Sequence, residues 1–165
     1  MQQAIQQDIA AIQAIEAVPH IMNILSEATG LRFICVARVT EDNWTMCSVL
    51  DKVDFNLKPG DELEIQTTFC SQVRQSAKAI VIEEASKDSQ YKTSPIPVMY
   101  GFESYFSYPI HKTDGSFFGT LCGLDPTPTA LKTAKIDNLW WYVIVKAFGA
   151  FGKNVYKFLY FDLTA

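Results

Sequence analysis

The strongest constraint on the fold is the stretch from residue 102 to residue 126, FESYFSYPIHKTDGSFFGTLCGLDP. Its first half has the two-residue period of a strand with one buried face, and the inward positions are Phe102, Ser104, Phe106, Tyr108 and Ile110. Asp114-Gly115 follows as a hairpin turn, because these residue types tolerate positive φ angles. The second half is apolar at both parities, which predicts a central strand covered on both faces. Gly119 and Gly123 in that strand predict that other groups pack against bare backbone.

Helical segments precede the sheet. Ile5, Ile9 and Ile12 recur at spacings of four and three, so the N-terminal arm is predicted to be an amphipathic helix. Pro19 breaks or restarts this helix, because proline suits a first turn and not an interior. Gly30 is predicted to end the helical arm as a C-cap, since glycine enters the left-handed conformation easily.

The middle of the chain predicts short elements separated by loops. Residues 31–39 and 44–50 read as a first hairpin, and residues 79–82 as a short buried strand. Between them, Thr67 or Thr68 is expected to cap a short helix that runs through residue 77. Residues 83–101 contain three helix-breaking positions, Pro95, Pro97 and Gly101, so no long element is expected there. A long apolar-rich loop against a sheet is a natural wall for a pocket.

Two groups of motifs resemble the GAF superfamily of sensory domains, as found in bacterial sensor histidine kinases. The last hairpin matches at Ser104-Tyr105, Tyr108-Pro109-Ile110, Asp114-Gly115 and Phe118-Gly119-Thr120-Leu121-Cys122. The upstream match consists of Pro59-Gly60-Asp61, Phe69-Cys70-Ser71 and Ala79-Ile80-Val81-Ile82. The resemblance implies an α+β fold with a central antiparallel β-sheet, terminal helices on one face and a ligand-type pocket on the other. We expect a single GAF-like domain over residues 1–165, with a helical arm at 1–29, a sheet and pocket core at 30–131 and a C-terminal helix at 132–163.

Composition narrows the classes of partner. With 165 residues, 48% apolar and 19% charged, the chain suits one soluble globular domain. A net charge of −4 provides no basic field for nucleic acid. The N-terminus does not resemble a signal peptide, and the apolar run at 139–151 is too short to span a bilayer. The sequence therefore predicts a cytoplasmic protein with neither nucleic acid nor membrane as a partner.

The four cysteines carry the only chemistry that the sequence suggests. Cys35, Cys47 and Cys122 lie in apolar strands without metal spacing, and they are predicted to be reduced core residues. Cys70 differs, because the first turn of a helix favours a thiolate, but it too is expected to be a reduced, structural residue. Bilin-binding GAF photoreceptors usually attach the pigment to a Cys-His dipeptide, which is absent, and free methionine sulfoxide reductases carry their cysteines in a characteristic loop. We therefore expect no enzyme, and the sequence assigns no catalytic residue, metal or cofactor.

The resemblance also implies which side chains would surround a ligand. The pocket candidates are aromatic and sulfur-containing residues: Trp44, Met46, Phe69, Cys70, Tyr91, Met99, Tyr100, Phe102, Phe106 and Cys122. The predicted function is a small-molecule-sensing or signal-relay domain that is regulatory and non-catalytic. The first alternative is a dimerisation or interaction module without a ligand, and the second is a thiol-dependent enzyme or bilin-type photosensor.

The last part of the chain predicts a homodimer. Aromatic residues point around most of the circumference of the predicted C-terminal helix and its extension: Trp140, Trp141, Tyr142, Phe148, Phe151, Tyr156, Phe158, Tyr160 and Phe161. One helix on a sheet buries a stripe about 100° wide, so a second surface is needed to cover the rest. We expect pairing of the terminal helices with those of a second copy. The resemblance to sensory domains also implies a signalling output domain or partner.

Overall fold

The computed structural model describes residues 2–112 and 114–131 of the chain. The helices are α1 (Gln2–Gln13), α2 (Ala17–Thr29), α3 (Cys70–Ser76) and α4 (Pro95–Tyr100), with a 3-10 turn at Ile65–Thr67. The strands are β1 (Phe33–Val39), β2 (Asn43–Asp51), β3 (Glu62–Glu64), β4 (Ile80–Ile82), β5 (Ser104–His111) and β6 (Phe117–Asp125). The C-terminal helix predicted for 132–163, with its aromatic residues, lies outside the described residues.

The six strands form one antiparallel sheet in the order β3-β2-β1-β6-β5-β4. β6 is buried along nearly its whole length and lies between β1 and β5, as the sequence predicts. Gly115 has a φ of 82° in the turn that joins β5 to β6, which confirms the Asp-Gly hairpin. A Cβ at Gly119 would collide with the Ala37 carbonyl oxygen, so this glycine allows β1 and β6 to approach.

Helices α1 and α2 cover one face of the sheet. Their apolar side chains pack on inward residues of the strands in one buried cluster, which includes Ile9, Ile12, Ile21, Leu25, Ile34, Val36, Phe106 and Leu121. An ion pair between Arg38 and Asp8, 2.8 Å apart, ties α1 to β1. Gly30 ends α2 with a φ of 78°, which confirms the predicted C-cap.

The structure corrects four expectations. Strand β5 is buried on both faces, because Tyr105 and Ser107 pack under α3 while Phe106 and Ile110 pack under α1 and α2. Helix α3 begins after Phe69 without a side-chain cap. The Thr68 hydroxyl instead donates to the Ile65 carbonyl. Strand β3 and helix α4 were not predicted, since each has only three to six residues and depends on its neighbours for burial.

Within the described residues, no single helix is long and apolar enough to cross a membrane. Taken together, helices α1 and α2 have the length and composition of a membrane span, but they are bent by 69° where they meet. Their apolar residues are packed against the sheet.

Candidate functional site

An apolar cavity lies on the face of the sheet opposite α1 and α2. It is enclosed by β1, β2, β5 and β6 below, by α3 and α4 above, and by the segment before β3 at the side. Its volume is about 60 Å³. The lining consists of Cys35, Trp44, Phe55, Leu57, Leu63, Thr68, Phe69, Cys70, Ile96, Tyr100, Phe102, Tyr105, Cys122 and Leu124.

The hydroxyl groups of this lining already have partners within the protein. The Thr68 hydroxyl donates to the Ile65 carbonyl, and the Tyr100 hydroxyl lies 2.7 Å from the Thr67 hydroxyl. Among the described residues, no charged side chain lines the cavity. Because a charged ligand would lose its hydration without gaining an ion pair, the cavity is suited to a neutral, apolar molecule.

Three of the four cysteines meet at the floor of the cavity. Cys35 and Cys122 are opposite each other on β1 and β6, and the sulfur atoms of Cys70 and Cys122 are 3.3 Å apart. The Thr120 hydroxyl donates to the Cys70 sulfur at 3.2 Å and accepts from the Cys122 thiol at 3.1 Å. This cluster could not be anticipated from the sequence, because its members come from three elements that are distant along the chain.

Burial keeps the thiols of Cys70 and Cys122 neutral. It raises the pKa of Cys70 well above its ordinary value, and it raises the pKa of Cys122 to about 12. Cys70 is the first residue of α3, but desolvation of its buried thiol outweighs any lowering of its pKa by the helix start. Within the described ranges, no group of three or more histidine, cysteine or acidic residues is suited to hold a metal ion.

The structure brings six of the ten predicted pocket residues to the cavity: Trp44, Phe69, Cys70, Tyr100, Phe102 and Cys122. Met46 is fully buried in the same side-chain cluster but does not line the space. Tyr91 packs edge-on against Phe69, with ring centres 5.0 Å apart, and Met99 is 57% exposed on α4. Phe106 lies on the opposite face, under α1 and α2. Phe102 precedes strand β5 and does not follow the two-residue alternation of that strand. It therefore lines the cavity, although Phe106 does not.

Several lining residues were not predicted. Phe55 and Leu57 belong to an irregular segment, where apolar side chains spaced by two residues were the only signal. Leu63 lies on the unpredicted strand β3 and Ile96 on the unpredicted helix α4. To predict Tyr105, Leu124 and Cys35 as lining residues, one must know which face of the sheet each side chain occupies on strands β5, β6 and β1. The sequence indicates Thr68 only as a possible helix cap.

Helix α4 forms a thin cover over the cavity. Ser94 caps it by accepting from the Ile96 N–H at 3.3 Å, and Gly101 ends it with a φ of 67°. Ile96 and Tyr100 face the cavity, whereas Val98 is 86% exposed. A groove of about 320 Å³ lies on the outer side of α4, lined in part by Pro97, Val98 and Gly101. Space lies on both sides of α4, and Pro97 is its one buried residue. The helix is therefore held by few contacts.

Comparison with known proteins agrees with this architecture. The sequence model of the GAF domain family matches residues 13–136. No match is found among curated protein sequences.

Solved structures that resemble the chain share its fold at low sequence identity. The GAF domain of a two-component sensor histidine kinase from Bacillus halodurans has a TM-score of 0.58 and 11% identity, covering 78% of this chain and 86% of that one. The PixJ GAF domain of Thermosynechococcus elongatus, in its blue-light-absorbing form, has a TM-score of 0.56 and 13% identity, with 82% and 80% covered. A type II free methionine-R-sulfoxide reductase from Thermoplasma acidophilum has a TM-score of 0.53 and 12% identity, with 86% and 88% covered. The family match extends over most of the sheet and its helices, and the chain belongs to the GAF domain family.

Proposed function

We propose that this GAF domain is a regulatory, non-catalytic sensor that binds a small, neutral, apolar molecule in the cavity between the sheet and helices α3 and α4. The observation that carries this proposal is the cavity lining, which is aromatic, aliphatic and thiol, without a charged side chain among the described residues and with its hydroxyls already bonded within the protein. Such a site recognises a ligand by shape and apolar contact.

The volume sets the size of the ligand. A water molecule needs about 10–15 Å³ on this scale, and a cavity of about 150 Å³ in another protein stays dry and binds benzene or xenon. The cavity here, about 60 Å³, therefore accommodates a ligand of a few heavy atoms. A larger ligand requires α4 to move outward, which its few contacts favour.

The other candidate functions find less support in the site. A bilin is much larger than the cavity, and the chain has no Cys-His dipeptide. Thiol-dependent catalysis needs a thiolate, whereas burial keeps Cys70 and Cys122 neutral. The structural neighbours include a sensor kinase domain, which supports a signalling role with an output domain as partner. We also propose a cytoplasmic location, because free buried cysteines suit a reducing compartment.

Xenon is a suitable probe, since it is neutral, apolar and small. We expect xenon under pressure to bind the full chain beside Cys122 and Leu124, detected crystallographically or by NMR shifts of the lining residues. Leu124→Phe should fill the cavity and abolish this binding. Leu50→Phe is the matched control, because Leu50 is an equally half-buried strand leucine packed on the opposite face.

Two further measurements connect binding to sensing. Native mass spectrometry of freshly purified protein should detect a retained small molecule, and hydrogen exchange should show that occupancy protects residues 91–100. Absence of xenon from the cavity, or xenon binding that persists in Leu124→Phe, would contradict an apolar site. Equal and strong protection of 91–100 with and without a ligand would contradict a cover that responds to binding.

A further inference from the structure

The floor of the cavity contains a pair of thiols that sensing of an apolar ligand does not require. The sulfur atoms of Cys70 and Cys122 are 3.3 Å apart, closer than an ordinary contact between unbonded sulfur atoms. One belongs to the start of α3 and the other to the central strand β6. A covalent S–S bond of about 2.05 Å needs an approach of roughly 1 Å, which a short helix such as α3 can supply by a small shift.

Oxygen atoms surround the two sulfurs. The Thr120 hydroxyl bridges them, the Ser107 hydroxyl lies 3.3 Å from Cys122, and the Tyr105 hydroxyl lies 3.5 Å from Cys70. These hydroxyls can donate to a sulfur atom as negative charge develops on it. The pair is therefore buried but is not in a purely hydrocarbon environment.

The cavity gives these thiols a selective route to the outside. Cys70 and Cys122 both line it, and its lining has no charged side chain among the described residues. A small neutral reagent can enter, whereas a charged one would lose its hydration without compensation. Cys47 lacks this access, because it is buried in the cluster on the opposite face.

We propose that Cys70 and Cys122 form an oxidation site, a dithiol that a small neutral hydroperoxide entering the cavity converts to a disulfide joining α3 to β6. The site is distinct from the proposed sensing function and does not require a bound ligand. The reaction modifies two residues at the floor of the same cavity, and the hydroperoxide is the oxidant.

The chemistry balances in two steps. One sulfur loses its proton and attacks a peroxide oxygen; the O–O bond breaks, and the departing oxygen takes the proton and leaves as water or an alcohol. The resulting sulfenic acid is attacked by the second sulfur. The S–S bond forms, the S–O bond breaks, and the hydroxyl leaves with the second thiol proton as water. The two thiols together lose two electrons, which reduce the hydroperoxide.

The rate should be low at neutral pH, because burial raises the pKa of both thiols and the thiolate is the attacking species. The reaction is therefore slower than that of a dedicated peroxidase. Its selectivity comes from placement, since the sulfur atoms of Cys70 and Cys122 are only 3.3 Å apart.

Hydrogen peroxide added to the purified full chain tests the proposal. We expect two of the four cysteines to become resistant to alkylation after denaturation, with the mass lowered by two hydrogen atoms and alkylation restored by dithiothreitol. Peptide mapping should find Cys70 linked to Cys122 within one chain. Cys47→Ser should leave the link unchanged, and Cys122→Ser should abolish it; the wild-type map decides the result if Cys122→Ser does not fold.

Three results would overturn the proposal. The first is a Cys35–Cys122 link as the main product, since Cys35 is the cross-strand neighbour of Cys122. The second is a link between two chains. The third is four free thiols in the folded protein after an exposure that oxidises the chain unfolded in urea.

Discussion

Asp125 carries a buried charge at the end of the central strand. It is inaccessible to solvent, and its carboxylate accepts from the Arg32 backbone N–H at 3.0 Å and from the Arg32 guanidinium at 2.8 Å through two nitrogens. Thr127 donates to it from its backbone N–H and its hydroxyl. Burial alone would disfavour the charge, but the hydrogen bonds from Arg32 and Thr127 outweigh it and lower the pKa of Asp125 below its ordinary value.

The lowered pKa makes a pH-dependent contribution to stability. Because the folded pKa lies below the unfolded value of about 3.9, the contribution is present above about pH 4 and is lost as the pH falls below it. We expect Asp125→Asn to lower the free energy of unfolding by about 2 kcal/mol at pH 7. The loss is no larger because the Arg32 side chain is half exposed, so solvent screens its charge. Urea unfolding should show a smaller difference between the variant and the wild type at pH 3. The exposed residue Asp42 provides the control, Asp42→Asn, and an Asp125→Asn effect that is equal at both pH values would contradict the assignment.

Gly119 is a second residue whose identity is set by its surroundings. A side chain there would meet the Ala37 backbone across the β1–β6 pair, which cannot move without breaking the ladder. Gly119→Ala should therefore lower the free energy of unfolding by about 3 kcal/mol. Gly115→Ala, in the open hairpin turn, should cost only about 1 kcal/mol because it strains φ without a collision. Denaturant unfolding of both variants tests the order, and equal losses would contradict it.

At the scale of elements, α4 is the part of the fold that can respond to a ligand. The hydrogen bond between the Tyr100 hydroxyl on α4 and the Thr67 hydroxyl in the 3-10 turn has a defined direction. The Thr67 hydroxyl donates its proton to the Glu64 carbonyl at 2.7 Å, so the Tyr100 hydroxyl must be the donor to Thr67. This hydrogen bond holds the C-terminal end of α4 over the cavity.

Removing that hydrogen bond should loosen the cover. A net loss of about 1 kcal/mol corresponds to an approximately fivefold increase in local opening, so Tyr100→Phe should accelerate hydrogen exchange at residues 96–102 by about that factor. Strands β5 and β6 should exchange as in the wild type. In a Thr67→Val background the same change should have little further effect. Full additivity of the two substitutions would show that the hydroxyl pair does not hold α4.

At the scale of the whole molecule, we propose that the terminal segments determine the assembly. Helices α1 and α2 already cover one face of the sheet, and Ile5 and Ile15 are only partly buried in that layer. The sequence predicts that the aromatic residues of 132–163 need cover in addition, since an exposed apolar patch larger than a few hundred Å² is rare on a monomer. A two-fold arrangement of terminal helices is the simplest way to bury both.

We expect the chain to sediment as a dimer at low micromolar concentration. Replacing Trp141 and Tyr142 together with polar residues should shift it toward the monomer, because the substitution removes aromatic surface from the proposed interface. A matched pair of exposed residues on α4, on the face of the sheet opposite α1 and α2, is Val98→Ser with Met99→Ser, which should leave the sedimentation unchanged. A wild-type monomer that the Trp141 and Tyr142 substitutions do not alter would rule out the dimer and favour a tail folded back on its own domain.

The sequence alone determined the features that depend on near neighbours in the chain. The Asp114-Gly115 turn, the Gly30 cap and the fully apolar central strand all follow from local backbone preference and periodicity. The family resemblance rested instead on sequence motifs, such as Phe69-Cys70-Ser71 and the run from Phe118 to Cys122. The short elements β3 and α4 escaped prediction because their stability comes from contacts with the rest of the fold.

The tertiary structure decided the composition of the site. It placed Phe106 under the helices and Tyr105 at the cavity, although the two are adjacent in sequence, because strand β5 is covered on both faces. It also brought Cys70 within 3.3 Å of Cys122 across 52 residues of chain. Contacts over such separations leave no periodic signal in a single sequence, since they arise only when the sheet has aligned its strands and α3 has packed on them.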